Sequence, residues 1–254
     1  MRVMSALGCE ASSADPTNAA TAAPEPPAAG TDPAVMARDL FKIYKEGRAE
    51  TVALRGADLS VQRGEFVSLM GPSGSGKSTL LTILAGLTTP SAGRVIVDGQ
   101  DLAELDEAAR GRWRAERVGV VFQRRNLVPF LSAEENVALI ARRRVGRRQA
   151  RRQARELLGR LGLADRVRHR PAQLSGGEAQ RASIAVAIAN EPAVIFGDEV
   201  TGELDSVTSE QVMAMLLALQ RERTVTIVLV THNPVVGALA DRQYEIAGGL
   251  VTPR

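Results

Sequence analysis

Gly71-Pro72-Ser73-Gly74-Ser75-Gly76-Lys77-Ser78 is a run whose residue types and spacing suit the holding of phosphate groups. Its glycines let successive backbone N–H groups turn toward one centre. A helix expected to begin at its end adds a positive pole. Lys77 is placed to reach β- and γ-phosphates, and Ser78 to coordinate Mg²⁺, with Thr79 next in line. The chain otherwise avoids lysine: of its 32 basic residues only Lys42, Lys45 and Lys77 are lysines.

A second run, Val194-Ile195-Phe196-Gly197-Asp198-Glu199, reads as an apolar strand ending in two acids. Such a strand puts carboxylates at the carboxyl edge of a sheet, where open α/β sheets bind ligands. Asp198 would hold Mg²⁺, directly or through water, and Glu199 would orient and polarise an attacking water. Alone, the pair would serve equally as loop or helix-start acids. After a phosphate-binding loop it implies hydrolysis of a nucleotide.

The elements that must position these groups follow from the patterning. Glu65–Met70 reads as a short strand running into the glycine loop, and Ser78–Leu87 as the helix after it. Arg94–Val97 is a further strand. Val118–Phe122 is apolar throughout, as expected of a strand covered on both faces, and Thr226–Val230 reads likewise. Strands separated by helices predict a largely parallel sheet with helices on both sides. Between Gln123 and Glu178 the helical pattern dominates, which predicts a helical insertion over roughly 124–180 in an α/β core. Residues 1–34 are rich in Ala, Pro, Ser and Thr and nearly free of large apolar side chains after the first few. They read as a disordered tail ahead of one folded domain, 35–254.

Composition narrows the class further. At 254 residues with 44% apolar content the chain has ample material for a buried core. A net charge of +3 does not argue for nucleic-acid binding. Cys9 is the single cysteine, so no intramolecular disulfide forms. No apolar window is long enough for a membrane-spanning helix. The start, MRVMSALGC, has too short an apolar run for a signal peptide.

The hydrolase type comes from Leu174-Ser175-Gly176-Gly177-Glu178, followed by Ala179-Gln180-Arg181 and an apolar helical stretch. Ser175 with the Gly176 and Gly177 amides makes a second helix-start anion site, although a serine here also suits an ordinary N-cap. The run resembles the signature motif of the ABC ATPase superfamily. The resemblance covers about Val35 to the C-terminus. It implies a P-loop nucleotide-binding domain with a largely parallel sheet, an antiparallel β subdomain and the helical insertion. It also implies ATP and Mg²⁺ as ligands and a head-to-tail homodimer, in which each ATP lies between one chain's glycine loop and the other's signature. On this likeness Gln123 approaches the metal and γ-phosphate and faces a membrane partner. His232 contacts the γ-phosphate, Asp205 crosses the dimer interface, and Tyr44 stacks on adenine, the bland alternative for Tyr44 being an edge-strand core residue. His169 is read as structural.

Three phrases are similar to the subfamily serving lipoprotein-release, macrolide-export and cell-division permeases: Leu80–Leu87, Val121–Val137 and Thr201–Asp205. The implied protein is a peripheral ATPase on the cytoplasmic face of the cell membrane, energising a separate integral permease, with export the expected direction. The alternative is a regulatory ATPase that drives an extracytoplasmic enzyme through its membrane partner. Four positions depart from the family pattern: Val200 for Pro, Glu203 for Asn, Asn233 for Asp and Val186 for Arg. None removes an expected catalytic group. Finally, Arg142, Arg143, Arg144, Arg147, Arg148, Arg151, Arg152 and Arg155 crowd one helical region. They read either as a solvated face or as a surface for anionic lipid or an acidic permease loop.

Overall fold

The computed structural model describes residues 32–47, 49–122, 126–202, 204–223 and 225–254. The expected tail therefore lies almost wholly outside the described residues, as do Gln123 and Glu203.

Two sheets form the domain. The first is antiparallel and holds β1 (Val35–Glu46), β2 (Ala49–Val61), β4 (Ala92–Val97) and β5 (Gln100–Asp101), in the order β2-β1-β4-β5. The second holds β3 (Phe66–Met70), β6 (Val118–Val121), β7 (Val194–Asp198), β8 (Thr226–Val230), β9 (Arg242–Ala247) and β10 (Leu250–Pro253), in the order β10-β9-β3-β8-β7-β6. Every pairing from β9 to β6 is parallel, and only β10 runs antiparallel. The helices are α1 (Lys77–Leu84), α2 (Glu107–Arg117), α3 (Ala133–Ala141), α4 (Arg147–Arg160), α5 (Gly176–Ile188), α6 (Ser206–Arg223) and the short α7 (Pro234–Gly237). No described helix is long and apolar enough to cross a membrane.

The parallel sheet separates two cores, and strand alternation decides which residue enters which. In β8, Ile227 and Leu229 join one core while Val228 and Val230 join the other; in β7, Ile195 opposes Val194 and Phe196. The first core is closed by α3, α4, α5 and α6. The second is closed by α1 and the antiparallel sheet.

Two elements differ from their reading in the sequence. The first helix ends at Leu84 rather than Leu87, because Gly86 adopts φ +68°. Gly86 N–H donates to Ile83 O and Leu87 N–H to Thr82 O, a glycine-terminated end that the run of leucines conceals. Val118–Val121 packs on both faces, Val121 in the first core and Val118 and Val120 against the second, but less completely than a central strand. It is the outer strand of the parallel sheet, with Gly119 and Val121 buried and Val118 and Val120 half-buried.

Candidate active site

The loop between β3 and α1 is shaped by three glycines with left-handed or extended-positive backbones: Gly71 (φ +147°), Gly74 (+77°) and Gly76 (+104°). Two of them could carry no side chain. A Cβ on Gly71 would lie 2.1 Å from the Ile246 carbonyl oxygen, and one on Gly76 would lie 2.5 Å from that of Ala53. Gly76 is the N-cap of α1 and offers no capping side chain, and the first turn holds no acid. The positive end of this helix is thus left open to an external anion.

Lys77 is almost fully buried, and its ammonium donates to the carbonyls of Gly71 (2.8 Å) and Pro72 (2.7 Å). The lysine folds back over its own loop, so an incoming phosphate exchanges these neutral acceptors for charged oxygens. Ser75 N–H donates to Pro72 O, and Ser75 Oγ is buried without a partner.

Asp198 ends β7, beside the end of β8 through its pairing with Val230. Burial pushes its carboxyl above the ordinary value, opposed by a hydrogen bond from Ser78; the nearby Glu199 charge raises it further and Lys77 lowers it. A half-buried carboxylate joined to a hydroxyl, with incomplete charge compensation, is an oxygen donor set that fits a divalent hard cation. Glu199 follows in the left-handed region (φ +48°), a strained setting for a non-glycine residue. Its N–H continues the ladder to Val230 O (2.9 Å), and its carbonyl accepts from Gly202 N–H (3.0 Å). The turn aims the carboxylate at His232, whose Nδ1 lies 2.9 Å from Glu199 Oε1. The two groups expected to act on water and γ-phosphate therefore meet, brought together by the adjacency of β7 and β8.

The signature run lies at the start of α5. Ser175 is its N-cap: Ser175 Oγ accepts from Glu178 N–H (3.2 Å), and Glu178 Oε2 accepts from Ser175 N–H (2.8 Å). Arg166 Nε donates to Glu178 Oε1 at 2.8 Å. The Ser175 amide above all, then Arg166, holds the Glu178 carboxyl down at about 2. The plain N-cap reading of Ser175 is therefore correct, and compatible with ligand binding, because its hydroxyl still has a proton to donate. Asp205 accepts from Thr208 N–H (2.9 Å) and hydroxyl (2.7 Å) at the start of α6. Signature and Asp205 regions touch here, since a Cβ on Gly177 would lie 2.8 Å from Thr208 Cγ2.

Tyr44 is 40% exposed on β1, with the Lys42 ammonium 5.0 Å from its ring centre. Its ring is not core, which leaves a face for stacking. Three of the four departures, Val200, Val186 and Asn233, lie among the described residues. Val200 is buried and faces Gly197, where a Cβ would lie 2.7 Å from Val200 Cγ1. Val186 is buried on α5. Asn233 caps α7 through Val235 N–H (2.9 Å), a duty Asp would perform equally. His169 is structural through its backbone, its carbonyl accepting from Ala133 N–H at the start of α3. Sequence reasoning missed Arg166, whose link to Glu178 is not signalled by spacing, and the Glu199–His232 contact, which needs the strand order.

Comparison with known proteins agrees with this geometry. The family described as ABC transporter matches residues 54–202. The lipoprotein-releasing system ATP-binding protein LolD of Bordetella pertussis is 46% identical over 224 residues, covering 88% of this chain and 97% of that protein. The macrolide export ATP-binding/permease protein MacB of Marinobacter nauticus is 46% identical over 220 residues, covering 85% of this chain but only 34% of that longer protein. A dimeric post-hydrolysis state of the ATP-binding cassette MJ0796 bound to ADP and Pi superposes with a TM-score of 0.83 at 38% identity, over 87% of this chain and 97% of that one. With the phosphate loop, the acidic strand end and the signature helix all in place on this fold, the chain belongs to the ABC transporter family and is an ABC-type ATPase.

Proposed function

We propose that this ATPase is the energising subunit of a membrane export complex. It would bind MgATP between two copies arranged head to tail, at the cytoplasmic face of the membrane. The observation that carries the reading is the separation of its two anion-binding helix starts. Helix α1, behind Lys77, packs into the core shared with the antiparallel sheet, whereas α5, behind Ser175, packs into the core of the helical insertion. One γ-phosphate needs both only if the second is supplied by another chain. The dimeric cassettes among its structural relatives support this arrangement. The LolD and MacB likenesses support a permease partner and an export direction. The folded unit is residues 35–254, with 124–180 as the insertion that transmits motion.

In this reading Lys77 leaves the Gly71 and Pro72 carbonyls for the β- and γ-phosphates, which the Gly74, Gly76, Lys77, Ser78 and Thr79 region of the loop surrounds. Tyr44 stacks on adenine, a contribution of roughly 1–3 kcal/mol. Ser78 and Asp198 hold Mg²⁺, which when bound neutralises phosphate charge; Gln123 is assigned to the same metal, and its placement lies outside the described residues. Glu199 accepts the hydrogen bond of the attacking water, and His232 turns from Glu199 to the γ-phosphate. Ser175, Gly176 and Gly177 of the second copy close over that phosphate, with Asp205 at the boundary.

The test is Ser175→Arg in a mixture with ATP. Nucleotide should still bind with parental affinity, while light scattering shows no ATP-driven dimer. A dimer that persists in Ser175→Arg sinks the sandwich. Purification from solubilised membranes of the host should bring a polytopic membrane protein with it; recovery only with soluble partners overturns the permease assignment.

A further inference from the structure

The amino ends of the parallel strands, opposite the catalytic edge, carry a cleft that nucleotide chemistry leaves unused. Its volume is about 650 Å³, and its walls include Arg63, Arg117, Arg143 and Arg144 together with Glu116 and Glu191. The arginines arrive from three places: the turn before β3, the end of α2 and the segment just past α3. Ala193 and Thr226, at the starts of β7 and β8, also line it.

Charge there is only partly compensated. Arg63 and Arg117 share one carboxylate, Asp98, at 2.6 and 3.4 Å. Arg144 binds Glu191 at 2.8 Å and also donates to Asn190 O at 3.0 Å. Glu116 is exposed. Arg143 is exposed and has no carboxylate partner among the described residues, and the same holds for Arg142, Arg147 and Arg148 beside it in sequence. Arg147 and Arg148 stand in the first turn of α4, where the helix dipole disfavours cations and where no acid is present. By contrast, Arg151, Arg152 and Arg155 farther along α4 are paired with Glu134, Glu135 and Glu156. The arginine run therefore divides into an internally neutralised stretch, Arg151 to Arg155, and an earlier stretch with excess positive charge, from which Arg143 and Arg144 line the cleft.

Glu191 sits in the left-handed region (φ +49°) immediately before Pro192. This strained turn holds a carboxylate against Arg144, within the cleft. Glu191 and Pro192 also line an adjoining cavity of about 380 Å³ that is walled by Leu157, Ile188, Ile195 and Leu219. Both volumes fall within the roughly 300–1,000 Å³ of small-molecule sites. Planar guanidinium forks match phosphate oxygens better than single point charges do.

We propose that this cleft binds a small phosphate-bearing anion, with the Glu191 carboxylate as the resident it displaces from Arg144. The phosphate can come from a soluble polyphosphate or from a lipid headgroup whose tail enters the adjoining apolar cavity. The experiment titrates inorganic tripolyphosphate calorimetrically into the full chain already saturated with MgADP, so that the glycine loop is filled. One saturable site is expected. Arg143→Ala should weaken it about tenfold, the loss of one charged hydrogen-bond donor, and Glu191→Gln should tighten it severalfold. Because Arg143 is exposed and unpaired, Arg143→Ala should keep the parental melting temperature and ATP turnover. In parallel, flotation with phosphatidylcholine vesicles, with and without phosphatidylglycerol, reads the lipid source. Tripolyphosphate binding that responds to both substitutions assigns a soluble ligand. Binding seen only with phosphatidylglycerol vesicles and lost in Arg143→Ala assigns the headgroup. Binding to neither probe, or binding indifferent to Arg143→Ala, overturns the site.

Discussion

Two helix starts in this molecule are built from similar small residues and stand in opposite states. The start of α1 is capped by Gly76, has no side-chain cap and no acid in its first turn, and its Lys77 rests on loop carbonyls. The start of α5 is closed by a reciprocal Ser175–Glu178 box, and Arg166 clamps the glutamate. The first leaves the amides of its opening turn to a group from outside the helix. The second has already satisfied one of its amides with its own serine, so in the proposed sandwich it would add to a phosphate through the Ser175 hydroxyl proton and the two glycine amides. Phosphate is thus expected to bind first and tightly at α1, and the α5 end to act as a late, weaker contact. This asymmetry suits a site that should close only when a second copy arrives loaded.

The comparison breaks most visibly at the chemistry. Glu199→Gln should cut phosphate release by on the order of 10²–10³-fold, while fluorescent ATP still binds at the α1 end with near-parental affinity. Unchanged turnover would remove Glu199 from its role and leave the strained turn without a purpose. A smaller effect is expected at the second helix start. Gly177→Ala forces a methyl to within 2.8 Å of Thr208 Cγ2, whose hydroxyl is pinned by Asp205. It should destabilise the fold by about 1–3 kcal/mol by chemical denaturation. Adding Thr208→Ser, which deletes the clashing methyl and keeps the hydroxyl, should recover most of the loss.

At the α1 end, burial raises the Asp198 carboxyl above its unfolded value. A raised carboxyl stabilises the fold at low pH and loses that contribution as pH rises through the folded value. Asp198→Asn should therefore melt a little higher than the parent at neutral pH in the absence of nucleotide and metal. The gap should narrow on acidification, and hydrolysis should be abolished. A lower melting temperature at neutral pH would show that the buried charge is already compensated. The smallest effect belongs to the α5 box. Glu178 is held down at about 2 against an ordinary 4.5. Its contribution is complete above about 4.5 and fades as pH falls toward 2, and the protection of the Glu178 and Ser175 amides, taken relative to the intrinsic exchange rate at each pH, should fall in that window. In Arg166→Ala the same change should occur at higher pH.

Much of this was legible in the chain because the residues involved have few substitutes. A loop with backbones at φ +77° and +104° calls for glycine, and Gly74 and Gly76 declare it. The strand Thr226–Val230 is legible because five consecutive buried residues leave it apolar on both sides. Ser175 ahead of an apolar helical stretch suits an N-cap. Elsewhere composition misled. Val118–Val121 is as apolar as a central strand and lies at the sheet edge, because strand order is a matter of crossover connections and leaves no mark on a strand of four residues. The eight clustered arginines look alike in sequence. Only packing separates Arg155, held to Glu134 at 2.9 and 3.3 Å, from Arg143, which no carboxylate neutralises among the described residues.

The sequence by itself singled out the groups to which the chemistry is assigned: the glycine loop with Lys77 and Ser78, the acids Asp198 and Glu199, and the signature serine. Those depend on local backbone freedom, functional-group type and short spacing, all written within a few residues. Tertiary structure alone decided which of them meet. Glu199 reaches His232, 33 residues away, because β7 pairs with β8 and a left-handed turn follows β7. The two helix starts are kept in different cores because the parallel sheet lies between them. Long-range pairing closes loops whose cost depends on the whole chain, so no local stretch of residues can record its outcome.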